Sequence, residues 1–172
     1  MQEEHRRFLD RLNRQLAENP DLYYLFRRLV MKASARNQLF GKVTSIKTGA
    51  TNAEVEVSLK GGDTLHAAIT NPSVEALDLH IGKEVIALVK APLVMVVTDL
   101  GGYRLSARNQ LKGTIARVHK GAVNAEVVIQ LPGGDSIAAS ITNDSVAALG
   151  LKEGDAATAV FKAGSVVLGV AV

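Results

Sequence analysis

The chain has 172 residues, 47% of them hydrophobic, enough to bury a core and too many for a mostly disordered protein. It has no Cys, which excludes disulfides, thiolate metal sites and cysteine nucleophiles. Its net charge of +3 suits an anionic ligand or nucleic acid without choosing between them.

The N-terminal stretch, MQEEHRRFLDRL, is charged from its third residue and has no apolar h-region, so it does not read as a signal peptide. No apolar run approaches the length of about 18 residues that a membrane span requires. A soluble, cytoplasmic protein with no membrane partner is expected. Residues 1–33 read as helical. Phe8, Leu12 and Leu16 fall at i, i+4 and i+8 on one face, and Asn19-Pro20 breaks the pattern. Leu22, Leu25, Phe26 and Leu29 begin a second apolar run at helical spacing. Such a segment can be a linker, a dimer contact or a piece packed on its own domain.

From Ser34 onward the signal changes to short strands. The first is predicted over Leu39 to Lys47. In Ala53 to Leu59, the residues Val55, Val57 and Leu59 share one face, while Glu54, Glu56 and Ser58 share the other. Lys60-Gly61-Gly62-Asp63 is a hairpin turn, and Thr64 to Ile69 returns from it. Asn71 to Leu77 reads as a short helix with Asn71 as N-cap, Pro72 at the first helical position, and Val74, Leu77 and Leu79 as its apolar side. Lys83 to Lys90 is a buried strand, Ala91-Pro92 a break, and Leu93 to Val97 a final strand. A hinge, TDLGGY, follows from Thr98 to Tyr103.

The whole pattern then repeats. SARNQL at Ser34 to Leu39 returns at Ser106 to Leu111, an offset of 72 residues. At the same offset Gly41 matches Gly113, Asn52-Ala-Glu-Val55 matches Asn124-Ala-Glu-Val127, Gly61-Gly-Asp63 matches Gly133-Gly-Asp135, and Ile69-Thr-Asn71 matches Ile141-Thr-Asn143. The expected fold is mainly β: two tandem five-stranded OB-like barrels preceded by an N-terminal helical segment. The expected parts are a helical linker or dimerisation segment over 1–33, a first domain over 34–100 and a second over 101–172.

Catalysis finds no support. His5, His66, His80 and His119 do not recur between the copies, and no metalloprotease, nucleophile-elbow, Walker or dinucleotide motif occurs. No catalytic residue, bare metal ion or cofactor is expected. What both copies keep are hydrogen-bond donors: Ser34/Ser106, Arg36/Arg108, Asn37/Asn109, Thr70/Thr142, Ser73/Ser145 and Lys90/Lys162. A small dianion needs several such donors converging, with positive charge nearby. The helix starts at Asn71 and Asn143 would add backbone N–H groups. Each residue alone is better explained as a strand lead-in, a cap or a surface cation, and their joint recurrence in both copies weakens that explanation.

SARNQLFG and SARNQLKG, GAxNAEV, the GGD turn and AITN/SITN together resemble the Mop (molbindin, or TOBE) domain family, over residues 34–172. The resemblance implies an OB-like barrel that binds molybdate or tungstate as the intact oxyanion at interfaces between units. Carried over by motif, it implies binding by Ser34, Arg36, Thr70, Ser73, Lys90 and Ala91. The second copy keeps Ser106, Arg108, Thr142, Ser145, Lys162 and Ala163. It also implies a homo-oligomer, a dimer first, with a trimer or hexamer as alternatives, and sites shared between subunits. RRFLDRLNRQL…FRRLVMKASARNQLFG resembles the joining segment of the ModE family of molybdate-responsive transcriptional regulators. An effector-sensing domain is therefore expected, with DNA reached only through an upstream domain that this chain does not carry. A freestanding molbindin for molybdate storage is the alternative, favoured by the second SARN. A ligand-free interaction module is the third reading.

Overall fold

A computed structural model describes residues 32–59 and 61–172, together with Glu3, Glu4, Arg7, Arg11, Gln15, Glu18 and Asn19. The chain divides into Met1–Ser34 and Ala35–Val172. In the first unit Glu3, Glu4, Arg7, Arg11, Gln15 and Glu18 are helical, and Arg7 pairs with Glu3 one turn away at 3.1 Å. The expected apolar faces at Phe8, Leu12, Leu16, Leu22, Leu25, Phe26 and Leu29 lie outside the described residues.

The second unit is built from strands. The first repeat supplies β1 (Asn37–Thr48), β2 (Asn52–Leu59), β3 (Thr64–Thr70), α1 (Asn71–Ala76), β4 (Glu84–Val89), a 3-10 turn (Ala91–Leu93) and β5 (Met95–Val97). The second supplies β6 (Asn109–Lys120), β7 (Asn124–Gln130), β8 (Ser136–Thr142), α2 (Asn143–Leu149), β9 (Ala156–Phe161), a 3-10 turn (Ala163–Ser165) and β10 (Val167–Gly169). These are the OB-like elements expected, in the expected order. The alternation in β2 is borne out: Val55 and Val57 are fully buried, as are their counterparts Val127 and Ile129. Each such side chain contributes roughly 1.5–3 kcal/mol by leaving water.

Packing or dihedral angle dictates glycine at several positions of each repeat. A Cβ on Gly41 or Gly113 would collide with the carbonyl of Ser58 or Gln130 on the neighbouring strand. In the GGD turns the second glycines, Gly62 and Gly134, have φ of +89° and +95°, open to glycine at little cost. Gly62 N donates to Leu59 O at 3.0 Å, and Gly134 N to Leu131 O at 3.0 Å.

The two five-stranded sheets exchange one strand each. They run β10-β4-β1-β2-β3 and β5-β9-β6-β7-β8, so each is completed by the last strand of the other repeat. Leu168 of β10 lies across from Ala87, and Val96 of β5 across from Ala159. In each repeat a 3-10 turn, Ala91–Leu93 or Ala163–Ser165, carries the chain across to the other sheet. The exchange merges both repeats into one hydrophobic cluster.

Three further contacts weld this junction. Asn37 and Asn109, 2% and 0% exposed, are the buried polar residues among those described. The Asn109 amide accepts from His66 N at 2.7 Å and donates to His66 O at 2.7 Å. The Asn37 amide accepts from Ala138 N at 2.7 Å and donates to Ala138 O at 2.8 Å. Each side chain thus pairs one residue's free main chain on the last strand of the opposite sheet, where an unpaired buried donor and acceptor would be costly. The GGD hairpins also meet back to back, with no room for a Cβ on Gly61 or Gly133. Among the described residues no helix is long and apolar enough to cross a membrane.

Candidate functional site

The strand exchange redistributes the expected donors. The 3-10 turn at Ala163–Ser165 packs on β3 of the first repeat, and the turn at Ala91–Leu93 packs on β8 of the second. Asn109 fixes the backbone next to Arg108, and Arg108 Nη2 comes to 2.8 Å from Glu54 on β2. At the equivalent place Arg36 Nη2 stands 2.8 Å from Glu126 on β7. The donors therefore group across repeats rather than within one.

An open pocket of about 380 Å³ marks one such meeting. It is lined by Lys47, Thr48, Gly49, Asn52, Ala53 and Glu54 of the first repeat, with Ala68, and by Arg108 and Ala163 of the second. Thr70, at the end of β3, pairs with Asn52 and so borders the same edge. Arg108 is 53% exposed and Arg36 67% exposed at the side chain, so neither guanidinium is consumed by its carboxylate. A guanidinium has five N–H donors in a fixed fork, and one edge can hold a carboxylate while another faces a ligand.

The helix starts differ from expectation. Thr70 and Thr142 are the N-caps, each accepting from the backbone N of Ser73 or Ser145. Asn71 and Asn143 sit one position inside and donate to Gly49 O and Gly121 O at 3.0 and 2.9 Å. The amide is recruited by the turn between the first two strands of its repeat, which leaves the threonine hydroxyl to cap. The threonine and serine hydroxyls are also within 2.8 Å of each other in both copies. One hydroxyl of each pair donates to the other, so each pair presents one O–H at the surface. The first-turn N–H groups of Ser73 and Ser145 are already satisfied, so the helices offer fewer free backbone donors than the sequence suggests.

The remaining expected residues are placed as follows. Ser34, Ser106, Lys90 and Lys162 are exposed, with each lysine immediately before a 3-10 turn. Ala91 and Ala163 are buried first residues of those turns. Asn37 and Asn109 belong to the junction and not to the donor set. Lys47, Thr48, Gly49 and Asn52 line the pocket and were not singled out by sequence. For Gly49 and Asn52 the signal was the recurring GAxN turn, read there only as a family mark. No group of three or more His, Asp or Glu that could hold a metal ion occurs among the described residues.

The TOBE domain family model matches residues 33–96 and 105–168, one match per repeat. The chain belongs to the TOBE domain family. Each TOBE match ends within the strand that its repeat lends to the other, so the exchanged strand belongs to the family unit. The chain is 45% identical over 170 residues to the molybdenum transport protein ModE of Herbaspirillum seropedicae, covering 99% of this chain and 63% of that protein. It is 45% identical over 140 residues to the molybdenum-pterin-binding protein MopA of Rhodobacter capsulatus, covering 81% of this chain and 53% of that protein. The chain thus spans somewhat over half the length of these curated relatives. Among solved structures it resembles the cytoplasmic molybdate-binding protein ModG, in a crystal form with molybdate bound. The TM-score is 0.80 and the identity 54%, over 82% of this chain and 100% of that one. MopA is named for binding molybdenum-pterin and ModG for binding molybdate.

Proposed function

We propose that the chain binds molybdate or tungstate as an intact tetrahedral oxyanion at two related sites. One site uses Ser106, Arg108, Lys162 and Ala163 with Thr70 and Ser73. The other uses Ser34, Arg36, Lys90 and Ala91 with Thr142 and Ser145. The observation that carries the reading is the 54% identity to molybdate-bound ModG over that protein's whole length. The exposed arginines and the pocket shared by Arg108 and Ala163 support it. Several charge-assisted hydrogen bonds of roughly 1.5–3 kcal/mol each would hold a desolvated dianion.

The biological role we favour is the effector-sensing part of a cytoplasmic molybdate-dependent transcriptional regulator, working as a homo-oligomer, a dimer first. The match to ModE extends over 99% of the chain, including the segment before the first TOBE copy. DNA would be reached through a separate domain. Storage as a freestanding molbindin is the second reading, favoured by the complete second SARN and by the full-length match to ModG. In either role the anion can shift an equilibrium between assemblies only by its differential affinity for them.

Thermal unfolding with and without molybdate tests the binding. At 100-fold excess over Kd the native state gains about 2.7 kcal/mol. The gain is expected to vanish in an Arg36→Ala, Arg108→Ala double variant. An unchanged melting temperature in the native chain, or an undiminished gain in the variant, overturns the reading. Mass in solution beside the number of anions bound separates the roles: a dimer with few sites supports sensing, and a larger ring with every site filled supports storage.

A further inference from the structure

We propose that the two oxyanion sites are unequal, and that Arg117 on one side and Glu56 with His66 on the other set the difference. This rests on the oxyanion reading above and adds the residues that grade its two sites.

The grouped donors are the same type for type, but the charges behind them are not. Behind Arg36, Glu126 is shared by two guanidinium groups, Arg36 at 2.8 Å and Arg117 at 3.0 Å. Behind Arg108 the arrangement is reversed. Glu54 takes Arg108 at 2.8 Å, and the imidazole Nδ1 of His66 lies 3.5 Å from Glu54 and 3.9 Å from Glu56. One site therefore has two fixed cations to one carboxylate, and the other has one guanidinium to two carboxylates with a histidine between them.

None of these three graders has a counterpart at the 72-residue offset. Arg117 corresponds to Ser45, Glu56 to Val128 and His66 to Ala138. Lys47 lines the Arg108 pocket and faces Glu54 across β1 and β2, while His119 faces Glu126 in its place. Lys162 and Lys90 precede equivalent turns and cancel in the comparison. Lys120 stands at the offset position of Thr48, which lines the Arg108 pocket, and Asp144, where the first repeat has Pro72, lies between Thr142 and Ser145. Counting these and Lys47, and leaving the histidines out, the Arg108 side sums to zero and the Arg36 side to one positive charge. Glu54 Oε1 and His66 Nδ1 are both buried and make no well-directed hydrogen bond, although they lie close together.

A doubly negative guest is attracted to the first arrangement more than to the second. His66 is held in place because Asn109 grips both its backbone groups. Arg117 and Glu56 act on the anion through charge and not by touching it, so exchanging them between repeats exchanges the affinities.

Titration calorimetry with molybdate on the full chain at low salt tests this. Two classes of site are expected, the tighter removed by Arg36→Ala and the weaker by Arg108→Ala. Importing the counterpart residue, Arg117→Ser weakens the tight class about 3- to 10-fold, and Glu56→Val strengthens the weak class by a similar factor. Val128→Glu, a third variant at a strand surface, weakens the tight class. Unfolding midpoints close to that of the parent protein show that these variants fold. Equal sites in the parent protein, or exchanges that leave both constants unchanged, overturn the inequality while leaving the oxyanion reading intact. A parent chain that takes up no molybdate removes both.

Discussion

At one junction between the repeats Asn37 grips the backbone of Ala138, and at the other Asn109 grips that of His66. Alanine and histidine differ in size, polarity and charge, yet the two grips agree to within 0.1 Å in each bond. The pairing is to main chain, so the side chain at the gripped position is free to vary. The rim of each junction has used that freedom, with Arg117 beside one arginine pair and Glu56 and His66 beside the other. The centre joins the repeats in the same way twice, and the rim makes them different.

Removing a grip should have the largest effect. Asn109→Leu keeps the volume and leaves His66 N and O without partners in a buried strand edge. The expected loss is about 2–6 kcal/mol, at 1–3 kcal/mol for each orphaned group. Asn37→Leu should cost the same within about 1 kcal/mol, because Ala138 presents the same two groups. Urea unfolding of both variants measures this. A clear inequality would mean that the gripped side chain matters after all.

A smaller loss is expected where the hairpins meet. Gly133→Ala puts a methyl group into the Gly61 backbone, and Gly61→Ala does the converse. Both should cost about 1–3 kcal/mol as overpacking. Gly164→Ala, at a glycine with open space around it, should be nearly silent in the same unfolding experiment. A costly Gly164→Ala beside a harmless Gly133→Ala would show that the two hairpins do not abut.

The strands, the GGD turns and the short helices were legible because each follows from local rules: alternation, turn residues and caps. The partner of a strand was not legible. Met95–Val97 has the same alternation whether it closes its own sheet or the neighbour's, and only the path of the 3-10 turn before it decides. The same gap hid the role of Asn37 and Asn109. As polar residues kept in both copies they looked like ligand donors, and nothing local shows a strand edge arriving from 101 or 43 residues away. The arginines were legible as cations, but their carboxylate partners lie on the other repeat. At the helix starts the choice between Thr70 and Asn71 as N-cap turned on Gly49 O, which a linear reading cannot place beside Asn71.

The finest difference between the repeats lies just beyond α1 and α2. Both helices end in the same hydrogen-bonded turn: Asp78 N donates to Glu75 O and Leu79 N to Val74 O, as Gly150 N does to Ala147 O and Leu151 N to Val146 O. Position 150 is glycine with φ of 61°, whereas position 78 is aspartate with φ of 49°. The left-handed region costs an ordinary L-residue about 1–2 kcal/mol, and Asp somewhat less because its short side chain tolerates it. Asp78→Gly should therefore stabilise the protein, and Gly150→Asp should destabilise it, each by about 0.5–1 kcal/mol. Thermal unfolding of the two single variants reads the sign. The double exchange should return close to the parent value, because the two turns lie in different repeats and share no hydrogen-bond partner. A stabilising Gly150→Asp would mean that side-chain contacts, and not backbone strain, govern how these helices stop.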